Sequence, residues 1–444
     1  MDHVSPSLTE SAQEKLHRAM HQEAGAGKQG KRPIAFIFAT VFLDLLGVGI
    51  LIPVIPYLVQ QYNHDALAVG LLSLSYSAAQ FLAAPVLGAL SDRYGRRPLL
   101  VLSVLGSALG YVMFGLAGSL AMLFVARIID GFTGGNISIA QAYIADVTPP
   151  RDRAKNFGLI GAAFGLGFII GPALGGALSQ ISLQTPAFVA GGLALVTAAF
   201  GFFVLPESLP TAQRKRGAIT FAEINPIQQI GDAMQRPGLL PILLAIFAQN
   251  FAFAGLQTNF ALFTLNRFGL GPQENAVLFT FLGIVGVFMQ GFLVRRLVNR
   301  FNDRALAITG LVIMTAGFVA TAFAPAVWAL YPTMALVSIG NALATPTLTN
   351  IVSKQASARE QGSILGATQS VNSLTRVFGP VWAGVTFDTL GAGAPYWSGA
   401  LWIAAAAVAA AWYGRRRSGT PSLASTSPIM PGMTTETGGG MPAR

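Results

Sequence analysis

Apolar runs separated by short polar breaks fill nearly the whole chain, and the runs are long. Ile34–Leu43, Ala66–Ser91 and Ala305–Ser353 contain no Asp, Glu, Lys, Arg or His. A hydrocarbon layer about 30 Å thick takes about 20 apolar residues per helical crossing. Cutting the chain at its polar breaks predicts twelve helices, near 34–59, 67–90, 99–118, 120–144, 156–180, 187–205, 239–265, 275–294, 305–324, 326–350, 361–388 and 394–414. The longest polar break, 206–238, divides them six from six.

The positive charges fix the sides. Of 28 Lys and Arg residues, Arg267 alone falls on one face, and Arg127 and Arg376 fall inside helices. The rest gather on the other face, at Arg93, Arg96 and Arg97, at Arg151, Arg153 and Lys155, and in both tails. Cytoplasmic loops attract such an excess, so both termini are expected in the cytoplasm, as in a bacterial inner (plasma) membrane protein. The expected units are a tail at 1–33, a six-helix bundle at 34–205, a linker at 206–238, a second bundle at 239–414 and a disordered tail at 415–444. The second bundle echoes the first. RDRAKNFGLIGAAFGLGFIIGP ends at Pro172 and REQGSILGATQSVNSLTRVFGP at Pro380, 208 positions later, which reads as a duplicated six-helix unit.

Composition narrows the chemistry. The chain is 53% hydrophobic and 10% charged, where a soluble domain carries roughly 25% charge. Cysteine is absent, which excludes disulfides and thiolate metal sites. His3, His17, His21 and His64 all lie outside the apolar runs, so no metal or other cofactor is expected. The first thirty residues hold Asp2, Glu10, Glu14 and Glu23 and do not read as a signal peptide. No nucleophile–base set or phosphate loop is visible, so the chain is not expected to be an enzyme. The net charge of +10 reflects cytoplasmic loops rather than nucleic-acid binding.

The hairpin GALSDRYGRRPLL at 88–100 concentrates four charges between two apolar runs. Loop placement explains its arginines but not Asp92. A carboxylate beside three guanidiniums can form a fixed ion-pair network. Gly95 would permit a tight reversal within a link of about eight residues, and Gly88 the close approach of another helix. The string G-x-L-S-D-R-x-G-R-R resembles the signature loop of the major facilitator superfamily. LGVGILIPVIP at 46–56, RIIDG at 127–131 and GLGFIIGPALGG at 165–176 resemble motifs of its drug:proton antiporters, and AYIADVTPPRDRAKNFG at 142–158 is similar to the tetracycline-resistance efflux proteins.

The resemblance implies two pseudo-symmetric six-helix bundles working by alternating access. It implies a cytoplasmic gate built from Gly88, Asp92, Arg93, Gly95, Arg96, Arg97, Asp146 and Arg153. It places Gly167, Gly171, Pro172, Gly175 and Gly176 at a close-packed bend of helix five associated with export, and ties Arg127 to proton coupling. In the C-terminal counterpart, GFLVRRLVNRFNDR, Arg295 stands where alignment on glycine would put Asp92, so a second acid clasp is not expected. Helix three carries no acid, and helices eight and nine, at the bounds above, carry no acid or histidine; tetracycline-specific pumps have these groups.

A charge at mid-membrane costs roughly 2.5–3.5 kcal/mol even on insertion scales. Asp44, Arg127, Asp130 and Arg376 therefore need partners or a task. Arg127 and Asp130 are three apart and share a helix face. The four either form a static network or include a carboxylate, Asp44 or Asp130, that binds and releases a proton as guanidiniums approach and withdraw. Gln80, Asn136, Gln141, Gln249, Asn250, Gln257, Gln369 and Asn372 are candidate linings of a wet central cavity, with Tyr76, Phe81, Phe251, Phe253, Phe260 and Trp382 as possible aromatic walls. The reading is an all-α, monomeric membrane transporter that exports small amphipathic compounds against protons. The alternatives are a symporter or facilitator importing a metabolite, and a non-transporting receptor or scaffold.

Overall fold

The computed structural model describes residues 34–35, 37–149, 152–215, 217, 225, 239–298, 300–354 and 361–418. The N-terminal tail, residues 419–444 and most of the linker lie outside these residues, as do Arg151, Arg359 and Glu360 and the side chain of Arg153, while 415–418, expected in the disordered tail, continue the last helix. The described chain is all helical: α1 (Ile37–Leu51), α2 (Ala66–Tyr94), α3 (Arg96–Gly115), α4 (Leu120–Val147), α5 (Arg153–Leu178), α6 (Thr185–Val204), α7 (Leu240–Phe268), α8 (Pro272–Val298), α9 (Asp303–Ala322), α10 (Val327–Ser353), α11 (Gln361–Leu390) and α12 (Ala394–Ser418). Ten are long and apolar enough to span a membrane. The other two are the short α1, which resumes past Pro53 as Ile55–Gln60, and α11, which carries Gln369, Asn372 and Arg376.

The helix ends follow local chemistry. Ser119 accepts from the Met122 amide and Asn302 from the Arg304 amide, each satisfying an orphan donor of a first turn. Gly269, at φ 68°, closes α7 in the left-handed conformation that suits glycine. Two features depart from simple rods. α4 is interrupted at Gly134 and Gly135, and α8 contains a π-helical turn over Met289–Val294. Pro172 sits within an unbroken α5.

Two bundles result, and their packing repeats. In the first half α3 packs on α4 and α6 and α2 on α4; in the second α9 packs on α10 and α12 and α8 on α10. The apolar core divides the same way: one cluster runs from Leu239 to Ala410, and two others lie almost wholly in the first half. The helices that approach most closely are also paired by the repeat. A Cβ on Gly171 would lie 2.6 Å from Gly49 Cα, and one on Gly175 would strike the Ile50 carbonyl at 2.0 Å, so α5 presses its backbone onto α1. A Cβ on Gly379 would lie 2.7 Å from the Phe251 carbonyl, so α11 presses on α7 in the same manner. Small residues allow this approach, and dispersion then holds helices that gain little from leaving lipid.

Across the halves, α2 meets α11 and α5 meets α8. These contacts crowd one end of the molecule, away from the 88–100 hairpin. Asp388 on α11 accepts from the Ala66 and Leu67 amides at 2.9 and 2.8 Å, capping the start of α2. Tyr57 donates to the Leu270 carbonyl at 2.8 Å and accepts from Asn275 at 2.6 Å. At the hairpin end the expected close approach at Gly88 is not seen: among the described residues nothing lies within 4 Å of where its Cβ would be, nor at Gly158 or Gly161.

Asp388 is thus a cap supplied across the interface. Removing a capping carboxylate costs about 0.5–2 kcal/mol, a population shift of roughly two- to thirty-fold. Leu262, a second-half residue 2% exposed in a first-half cluster, reports on this end. Because the chain lacks cysteine, Leu262→Cys gives a single thiol, and Asp388→Ala is expected to speed its labelling by maleimide relative to native Asp388.

Candidate functional site

A cavity of about 590 Å³ lies between the halves, lined by α1, α2, α3, α4 and α5 on one wall and by α7, α8, α10 and α11 on the other. Asp44, Arg127, Asp130 and Arg376 all line it. Of the candidate lining residues, Gln80, Asn136, Asn250, Gln257, Gln369 and Asn372 do as well. Two do not. Gln249 is fully buried inside the second half, donating to Asn341 at 3.0 Å and Thr345 at 2.7 Å. Gln141 is exposed and away from the cavity. Tyr76 and Phe253 supply aromatic wall, whereas Phe81, Phe251, Phe260 and Trp382 do not reach it. Phe164 and Phe168 take that place, on the helix face that composition alone marked only as glycine-rich.

The buried charges fall into two arrangements. Arg127 donates to Asp130 at 2.7 Å, with side chains 7% and 2% exposed. Its guanidinium also sits 5.0 Å from the Tyr76 and Phe114 ring centres, so aromatic faces share its charge. Asp44, one helix away, has a neutral partner, accepting from Asn136 at 2.6 Å. Asn136 opens the second segment of α4, and the interruption before it frees the Gly134 carbonyl to accept from Gln80 at 2.8 Å. The break in α4 therefore separates the paired acid, Asp130, from the residue that holds Asp44. Sequence periodicity gave no sign of it beyond the Gly134–Gly135 pair.

The hairpin network joins Asp92 and Asp146 through Arg96, as expected, and also takes partners from the linker that were not expected. α2 runs to Tyr94 and α3 starts at Arg96, so the link is one residue rather than about eight. Gly95 makes that reversal at φ 105°. Asp92 pairs with Arg96 at 2.5 Å and Lys215 at 2.9 Å, and Arg96 with Asp146 at 3.1 Å. Arg93 donates to the Gly217 carbonyl at 3.0 Å, and Arg97 to the Phe202 carbonyl. Glu207 accepts from the Arg96 amide at 2.9 Å, and Ser208 donates to Asp146 at 3.0 Å. The start of the linker is strapped over the hairpin, which the sequence had marked only as polar.

The second half has an acid clasp after all. Lys354 donates to the Asp303 carboxylate at 2.5 Å, and Asn350 donates to the same carboxylate at 3.0 Å. Lys354 stands 208 positions after Asp146, and Asp303, like Arg96, opens its helix. The duplicated pair has kept its place and exchanged its signs, so alignment on Arg295 missed it. Helix bounds also shift: Glu274 opens α8 and Asp303 opens α9, both at helix ends and outside the cavity.

A twofold-repeated twelve-helix bundle with a polar cavity between its halves has known counterparts. The Major Facilitator Superfamily profile matches residues 37–380 and 291–431. This chain belongs to that superfamily. The facilitator is 33% identical over 375 residues to "Tetracycline resistance protein, class C" of Escherichia coli, spanning 84% of this chain and 93% of the relative. It is 30% identical over 357 residues to "Multidrug resistance protein 2" of Bacillus subtilis (strain 168), spanning 79% and 88%. Among solved structures, the human organic anion transporter MFSD10 (TETRAN) superposes with a TM-score of 0.67 at 26% identity, over 86% of this chain and 99% of that one. A bacterial homolog of the lysosomal transporter Spinster, inward-facing and unoccupied, superposes at 0.68 with 17% identity, over 86% and 96%. The facilitator is accordingly a multi-pass integral membrane protein of a transporter family, not an enzyme.

Breaking one side of the Arg127–Asp130 pair leaves a buried charge without a partner, which costs about 3–5 kcal/mol. Asp130→Asn is expected to lower the thermal unfolding midpoint of purified protein markedly. Adding Arg127→Gln is expected to restore part of the loss, because the orphaned cation goes with it.

Proposed function

We propose that this facilitator exports small amphipathic compounds in exchange for protons, by alternating access through the cavity between its halves. The units 34–205 and 239–414 would rock about that cavity, with the hairpin end and both termini in the cytoplasm. The observation that carries the reading is a cavity lined by both halves and bridged at the Asp388 end, with a carboxylate held by a neutral amide on its wall. The similarity to tetracycline and multidrug resistance proteins supports export as the direction.

Asp44 is the better candidate for the coupled proton site. Asp130 is already paired with a guanidinium at 2.7 Å, whereas Asp44 is held by the neutral amide of Asn136. A carboxyl that can bind a proton when one side is open, and lose it when the other side is open, links the proton gradient to the rocking motion. The hairpin strap acts on the same motion. Asp92, Arg96, Asp146 and Lys215 rigidify the end of the first half that must close against the second.

The test is uptake of a fluorescent drug into inverted vesicles under an imposed pH gradient. Wild-type protein is expected to accumulate the drug as protons leave. Asp44→Asn is expected to abolish gradient-driven accumulation while leaving downhill movement in place. Unaltered accumulation in Asp44→Asn and Asp130→Asn alike would remove proton coupling through these acids. Accumulation only under the reversed gradient would make the protein an importer.

A further inference from the structure

Three of the four charges in the cavity have a partner: Arg127 and Asp130 hold each other, and Asn136 holds Asp44. The fourth does not. Among the described residues, no hydrogen bond or ion pair engages the guanidinium of Arg376, whose side chain lines the cavity and is open to it. The two acids are on α1 and α4, in the first half; Arg376 is on α11, in the second. The walls are thus of opposite polarity, with an excess of negative charge on one and of positive charge on the other.

The surroundings of Arg376 suit a ligand rather than an internal partner. Gln369, Asn372 and Arg376 recur at helical spacing and all line the cavity, giving one track of hydrogen-bonding groups along α11. Asn250 donates to Asn372 at 3.1 Å, which leaves the Asn372 amide nitrogen available beside the guanidinium's track. Apolar wall adjoins these groups at Phe253 and Pro380. A planar guanidinium in a partly dry site binds carboxylate, sulfonate or enolate oxygens in a bidentate manner and gains most where water is scarce.

We infer that Arg376 is the anion-recognition residue of the cavity, and that the substrates include amphipathic organic anions or zwitterions, bound with the acidic group toward α11 and the apolar body toward Phe253. The inference rests on the reading of this cavity as the substrate path and names the substrate class for it. A purely cationic drug would meet Arg376 as a like charge, so the site selects against it unless an anionic group is also present.

Binding in the absence of any pH gradient tests this separately from proton coupling. The probes are anilinonaphthalene sulfonate and phenylnaphthylamine, the same ring system with and without the anionic group. Each is titrated into nanodiscs of zwitterionic lipid with and without the protein, and the protein-dependent fluorescence is read. Arg376→Gln is expected to weaken sulfonate binding roughly tenfold or more, while the neutral probe stays within about twofold. Arg376→Lys, which keeps the charge and loses the fork, is expected to recover part of the preference. Neutral-probe binding also reports that the variant's cavity is intact. An unchanged ratio of the two affinities, whether both hold or both fall together, assigns Arg376 to structure or to pairing with the acids and overturns the inference. A wild-type protein with no preference for the sulfonate overturns it as well. Loss of proton-driven uptake with the preference intact would leave this inference standing and sink only the coupling mechanism.

Discussion

Charge is expensive in hydrocarbon, and this chain is arranged around that cost. Lys and Arg are confined almost wholly to one face of the sequence's crossings. Asp44, Arg127, Asp130 and Arg376, the ionisable groups placed deep in the helices, are gathered at the cavity between the halves. Arg127 is the most constrained of these. Its charge is offset by Asp130 at 2.7 Å and spread over the faces of Tyr76 and Phe114. That pair then determines what its neighbours can do. With Asp130 committed, Asp44 and Arg376 are left on opposite walls, one held by an amide and the other by nothing among the described residues.

The remaining architecture keeps these groups in register while letting the walls separate. Within each half, backbone contacts between α1 and α5 and between α7 and α11 leave no room for a side chain. Such contacts resist sliding, so each half is stiff where it lines the cavity. Between halves there are close backbone approaches as well: a Cβ on Gly70 would lie 2.5 Å from the Pro380 carbonyl and one on Gly384 2.7 Å from Leu67 Cα. Hydrogen bonds join the halves at the same end: the Asp388 carboxylate on two amides, and the Tyr57 hydroxyl between Asn275 and the Leu270 carbonyl.

The hairpin end shows how duplication can preserve a position while changing its chemistry. Arg96 with Asp146 in the first half becomes Asp303 with Lys354 in the second. An ion pair tying the start of one helix to the end of the next is indifferent to which partner carries which sign, so the exchange costs the local packing little. What differs is the linker. Glu207, Ser208 and Lys215 reach back onto the first hairpin, joining the connection between the halves to the motif that closes the first one.

Much of this was legible in order along the chain. The succession of twelve helices follows from hydropathy, because a bilayer imposes a length on every segment separately. The proximity of Arg127 and Asp130 follows from helical spacing alone. What remained hidden depends on distance across the fold. Asn136 as the holder of Asp44, the break in α4, the internal position of Gln249 and the sign-reversed clasp at Asp303 and Lys354 each require knowing which face of one helix meets which face of another. Sequence patterns report a residue's neighbours along its own helix. The partners that decide the state of a buried charge come from other helices, and only the packed tertiary structure selects them.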